Sequence, residues 1–205
     1  MKVIERGIQN FEEKDFFSPI RDKASFARLI VCSARQLLLP PVEEIHSTSK
    51  LKLIVDKMSR LFFYHGNKYF SIAFPLTVIT NSEEGTDITT YSGKKIDFEN
   101  ISAVIAILNS DHFRNYRSLI DFPIEPSSFE ESGIYLLEEI MQFEPSYIRY
   151  DNDPTNENSK LHPLDHLDIN YSQPGAYKLG LPKAISRAYF ENLQNINTEC
   201  CFIID

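Results

Sequence analysis

The chain has 205 residues, 42% hydrophobic and 24% charged, with a formal net charge of −8. That length buries a substantial core and that composition is ordinary for a globular protein, so a disordered chain is not expected. The acidic balance argues against a broad RNA- or DNA-binding face, which needs clustered Lys and Arg, and against adhesion to anionic membranes.

Residues 1–22 show no clear period, and Phe16, Phe17 and Ile20 are expected only to tack this arm onto the body. From Ser25 to Leu39 the apolar residues recur at helical spacing, with Ser25 as the N-cap and Pro40-Pro41 as the stop. Leu51, Ile54, Val55 and Met58 suggest a second helix over 49–59. Leu61 to Phe74 reads as a hairpin turning at Gly66-Asn67, a pair that tolerates positive φ. Strands are expected at 76–80 and 87–91 around a turn at 81–85.

Phe98 to Leu108 favours a helix, although Val104, Ile105 and Ile107 leave a strand open, and 109–132 reads as irregular. Ile134 to Leu137 begins a strand or a short helix. Tyr147 to Asp151 alternates as a strand with Tyr147, Arg149 and Asp151 on one face. Leu167 to Tyr171 alternates too, with Asp168 and Asn170 sharing a face. Tyr177 to Leu181 is a further short strand. Pro182 opens a helix carrying Ile185, Ala188, Tyr189, Leu193 and Ile196.

These elements predict one α+β domain over 1–205: N-terminal helices, a mostly antiparallel sheet, and a C-terminal helix packed on the sheet. Residues 1–60 are expected to be mainly helical, and 61–205 to hold the sheet and a motif region at 146–171. Cys32, Cys200 and Cys201 build neither an even disulfide framework nor a CxxC zinc pattern, and Cys200-Cys201 reads as buried apolar packing. Met1 to Ile8 lacks an apolar signal core, and no apolar run approaches the ~20 residues of a membrane helix. A cytoplasmic protein without a membrane partner is the expectation.

The chemistry-bearing residues concentrate in Ser146-Tyr-Ile-Arg-Tyr-Asp-Asn-Asp-Pro154 and His162-Pro-Leu-Asp-His-Leu-Asp-Ile-Asn-Tyr171. Paired antiparallel, the two strands bring Arg149, Asp151 and Asp153 near His166 and Asp168. His162, His166 and Asp168 form H-x3-H-x-D, a donor set able to hold a divalent metal, although no cofactor is required. Without a metal, Arg149, Asp151, His162 and His166 are the candidate catalytic residues. Arg149 would stabilise a phosphorane-like charge while a histidine moves a proton, as a metal-independent ribonuclease needs. The bland alternative is an Arg149–Asp151 ion pair, His162 before a loop proline, and His166 bonded to backbone. Arg60 and His65 match an R-x4-H spacing known on helices of ribonucleases, but here the segment reads as a strand.

Gly133-Ile-Tyr-Leu-Leu-Glu-Glu, the Arg-aromatic-Asp strand at 149–151, the His-Pro-x-x-His-Leu strand at 162–167 and the closing Leu-Pro helix with Tyr189-Phe190 resemble a bacterial family, a domain of unknown function, over about residues 133–196. The resemblance implies a bacterial origin and points to these residues without giving them roles. A similar Arg-Tyr-Asp strand followed by a His-rich strand occurs in small bacterial toxins of toxin–antitoxin pairs. Two function classes follow as expectations. One is a defence or toxin-type effector resembling a ribonuclease. The other is a non-catalytic accessory subunit that docks on a larger nuclease or ATPase in a defence complex. The acidic charge favours a protein partner in such an assembly over RNA or DNA.

Overall fold

A computed structural model of the chain describes residues 1–40, 48–81, 85–116, 119 and 127–202. In chain order its elements are β1 (Lys2–Ile8), α1 (Glu13–Phe17), α2 (Lys23–Leu38), β2 (Ser49–Val55), β3 (Ser59–His65), β4 (Lys68–Ala73), β5 (Thr77–Asn81), β6 (Gly85–Thr89), α3 (Phe98–Asn109), α4 (Asp111–Tyr116), α5 (Ser128–Gln142), β7 (Ile148–Asn152), β8 (Asp165–Ile169), β9 (Tyr177–Gly180) and α6 (Arg187–Asn192). The fold class is α+β. Two compact units divide it: Met1–Asn10, Ile45–Phe74 and Pro145–Asp205 form one, Phe11–Glu44 and Pro75–Glu144 the other.

The first unit is a seven-stranded sheet in the order β1-β2-β3-β4-β7-β8-β9, antiparallel throughout. Its strands arise from alternation. In Ser49-Lys-Leu-Lys-Leu, Ser49, Leu51 and Leu53 are buried while the lysines turn away, so a period of two overrides the helical spacing that suggested a helix at 49–59. Residues 1–22, read as irregular, likewise contain β1, paired to β2, and the short α1. The stretch 1–60 therefore supplies two strands as well as helices. The expected hairpin is β3–β4, with Gly66 in the left-handed region at φ 57°.

On one face of this sheet Ile54, Phe62, Tyr64, Tyr150 and Leu167 form an apolar cluster with Phe190 from α6, so the C-terminal helix does pack on the sheet. That helix is shorter than the Pro182-to-Ile196 expectation. The Ser186 hydroxyl accepts from the Tyr189 amide and sets the start, which leaves Ile185 before the helix, and Ile196 is 65% exposed beyond it. Cys200 and Cys201 are exposed, which corrects their expected burial. They follow the helix in an irregular stretch whose last described residue, Phe202, is 85% exposed.

In the second unit, Asp22 rather than Ser25 caps α2, its Oδ1 accepting from the Ser25 amide (2.8 Å) and hydroxyl (2.7 Å). Leu39 is extended at ψ 145°, as the residue before Pro40 must be; Pro41 lies outside the described residues. Capping boxes start α3 at Asp97/Asn100 and α5 at Ser127/Glu130, so both segments with an open strand alternative are helices. The 109–132 region holds α4 and the first turn of α5. Gly133 lets α5 approach α3 closely, since a Cβ there would lie 2.7 Å from Ala103 Cβ. β5 and β6 pair as a separate two-stranded sheet; of their expected turn, residues 82–84 lie outside the described residues. No described helix is long and apolar enough to cross a membrane.

Candidate functional site

Register gathers the candidate residues. β7 and β8 pair with Arg149 opposite Asp168 and Asp151 opposite His166, while β9 sets Lys178 opposite Asp168. Because side chains alternate and paired residues share a face, Arg149, Asp151, His166, Asp168 and Lys178 project from the same side of the sheet. β8 ends at Ile169, short of Tyr171, because Asn170 turns left-handed (φ 62°), its side-chain Nδ2 donating to the Gly175 carbonyl (3.1 Å).

The Arg149 Nη2 group bridges Asp151 Oδ2 (2.6 Å) and Asp168 Oδ2 (2.5 Å). Lys178 Nζ lies 2.5 Å from Asp168 Oδ1 and 3.1 Å from His166 Nε2. His166 Nδ1 lies 2.8 Å from the Pro163 carbonyl. A carbonyl only accepts, so Nδ1 carries the proton and Nε2 accepts from the lysine. Two carboxylates and two cations thus balance around a neutral imidazole.

Burial grades across the network. His166 is fully buried, the carboxylates of Asp151 and Asp168 are 11% and 15% exposed, and Arg149 and Lys178 are 36% and 34% exposed. Burial alone would raise the Asp168 carboxyl, but the Lys178 hydrogen bond and the Arg149 and Lys178 charges outweigh it and hold the group below its ordinary range. Burial would lower Arg149, and the neighbouring Tyr147, Asp151 and Asp168 reverse this to an upward shift. Tyr147 is pushed up to about 12, chiefly by burial.

Two expected members stand apart. The Asp153 carboxylate accepts from the Thr155 and Asn156 amides (3.1 and 3.2 Å) in an exposed turn. His162 closes the same loop through paired backbone bonds with Asn158, and its ring packs against His166 at 4.5 Å between centroids. Among the described residues the potential donor set is Asp151, His166 and Asp168, with ligand atoms within 4.8 Å of one another, and His162 is not in it. The Lys178 ammonium already touches His166 Nε2 and Asp168 Oδ1, so as it stands the set does not fit a dication.

That contact predicts a gain of function. In Lys178→Ala, His166 Nε2 and Asp168 Oδ1 are released beside Asp151 Oδ1, which has no hydrogen-bond partner among the described residues. Titration calorimetry with Zn²⁺ should show one-site uptake by Lys178→Ala and none by wild type. Equal uptake by both would remove the lysine from the cation position.

Lys178 escaped the sequence reading, although alternation in Tyr177-Lys-Leu-Gly180 sets it on the face opposite Leu179. Arg60 was noticed for the wrong reason. Five residues apart on a strand, Arg60 and His65 point to opposite faces: His65 Nδ1 lies 2.8 Å from Ser49 Oγ, whereas Arg60 donates to Ser71 Oγ (2.8 Å), the Ser146 carbonyl (3.0 Å) and Gln194 Oε1 (3.0 Å). Burial lowers Arg60 to about 10. No family model matches the chain, and neither the curated proteins nor the solved structures contain a match to it.

Proposed function

We propose that this protein works by binding, as a non-catalytic accessory subunit of a bacterial assembly, docking on a larger nuclease or ATPase in a defence complex. The observation that carries this reading is His166, fully buried with both ring nitrogens engaged. A general base must come within about 3 Å of the proton it takes. Here the Pro163 carbonyl and the Lys178 ammonium hold those positions. The neutralised network also leaves little field for a phosphate, in a chain whose net charge is −8. The bacterial setting rests on the family resemblance, and the defence role on the likeness of the Arg-Tyr-Asp and His-rich strands to those of small bacterial toxins.

One observation favours the effector reading: Arg149, Asp151 and His166 do converge, His162 packs beside them, and two cations are about one-third exposed. Expression of wild type, Arg149→Ala and His166→Ala, with circular dichroism to check folding, decides between the two. Intact total RNA and equal growth in all three strains is the expected result. RNA cleavage by wild type that folded variants lack would replace the subunit reading with the ribonuclease one. Velocity sedimentation of the endogenous protein should place it well above monomer size.

A further inference from the structure

We propose that the helical unit Phe11–Glu44 and Pro75–Glu144 carries a binding site for a small organic anion with an apolar body, independent of the Arg149 network. A groove of about 460 Å³ lies among α1, the Ser18–Asp22 turn, the first half of α2, the end of α3, and α4. That volume falls within the range of about 300–1,000 Å³ typical of small-molecule sites. Phe16, Ile20, Leu29, Leu108 and Phe113 line it, each at most 9% exposed, which supplies an apolar floor.

Three cations line the same groove: Lys14, Arg28 and Arg114. None of them pairs with a carboxylate among the described residues; Arg28 donates only to Asn109 Oδ1 (2.6 Å). Of the two acids present, Asp22 is committed to capping α2, and Asp15 is exposed. The groove therefore holds an excess of positive charge in a chain of net charge −8. Cations left without a carboxylate partner among the described residues, beside buried apolar side chains, match a ligand with a charged head and a hydrocarbon or aromatic body. Carboxylate and phosphate heads share the chemistry these groups recognise.

Calorimetric titration of the whole chain with octanoate, octyl phosphate and octanol tests the site. At least one of the two acids should bind one to one and at least tenfold more tightly than octanol, and the preferred head separates an acyl carboxylate from a phosphate ester as the source. Lys14→Ala/Arg114→Ala, which alters two exposed side chains without hydrogen-bond partners, should melt with wild type and bind at least tenfold more weakly. Arg28→Lys keeps the charge and should retain binding within threefold, whereas Arg28→Ala should not. Failure of both acids to bind, binding of octanol as tight as theirs, or full affinity in the double variant would overturn the proposal. The RNA and growth outcomes do not bear on it.

Discussion

Arg149→Ala is expected to cost the fold about 2–4 kcal/mol, measured by urea unfolding at pH 7. Removing one partner of a buried ion pair leaves an uncompensated charge and typically costs about 3–5 kcal/mol. The guanidinium is 36% exposed, and solvent screening discounts that range. Among the described residues its loss leaves Asp151 with no cation and Asp168 with Lys178 alone, both carboxylates being at most 15% exposed. Arg149→Ala/Asp151→Ala should lose less than the sum of the single variants, because the second change removes the stranded charge.

The acid limb supplies an independent reading. Asp168 is held below its ordinary value in the folded protein, so its contribution is present above about pH 4 and is lost as pH falls through the lower folded value. Without Arg149 the depression shrinks. The stability gap between wild type and Arg149→Ala should therefore narrow as pH drops below about 4. A gap that stays constant would mean that Arg149 contributes through packing of its stem.

Legibility in the sequence followed the reach of each signal. Strand alternation was readable at Tyr147 to Asp151, and with the His-rich strand paired to it the proximity of Arg149, Asp151, His166 and Asp168 could be reasoned out. Register between β8 and β9 is a tertiary property, and no local feature of Tyr177-Lys-Leu-Gly180 announces that Lys178 will sit on His166 Nε2. The helix expected at 49–59 failed for a related reason. Leu51, Ile54, Val55 and Met58 fit a helical face on paper, but Lys50 and Lys52 between Ser49, Leu51 and Leu53 fit a strand better. Pairing with β1 and β3 on both sides decides the matter. The capping boxes at Asp97/Asn100 and Ser127/Glu130, spaced to satisfy the first amides of α3 and α5, were local signals left unread, and the one cap that was read, Ser25, gives way to Asp22. The apolar groove among α1–α4 could not be read at all, because its lining comes from two stretches far apart in the chain, 14–29 and 108–114.

Phe190→Ala should produce the largest loss, about 3–5 kcal/mol, the range for truncating a fully buried phenylalanine. Phe190 meets Phe62 edge-on at 6.2 Å between centroids and lies 6.0 Å from Tyr69, within the apolar cluster that holds α6 to the sheet. A six-residue helix has no independent stability in water, so its anchors must hold it. The other anchors share that dependence. Lys52 Nζ reaches Glu191 Oε2 (2.8 Å), Tyr64 donates to Glu191 Oε1, Arg187 donates to the Gly66 carbonyl (3.0 Å), and Gln194 Oε1 accepts from Arg60 (3.0 Å). Undocking α6 would release all four at once. Amide exchange over 186–194 should accelerate strongly in Phe190→Ala, while Tyr189→Ala, 45% exposed one residue away, should lose less than about 1 kcal/mol. Tyr64 adds a spectroscopic arm: burial first, then the Glu191 bond, raises its phenol above the ordinary range, so that stability is present below about pH 10 and is lost as pH rises further. In wild type its tyrosinate absorbance should therefore lag behind that of exposed tyrosines, and in Phe190→Ala the lag should diminish. An unchanged lag together with a loss under 1 kcal/mol would mean that the polar anchors alone hold the helix.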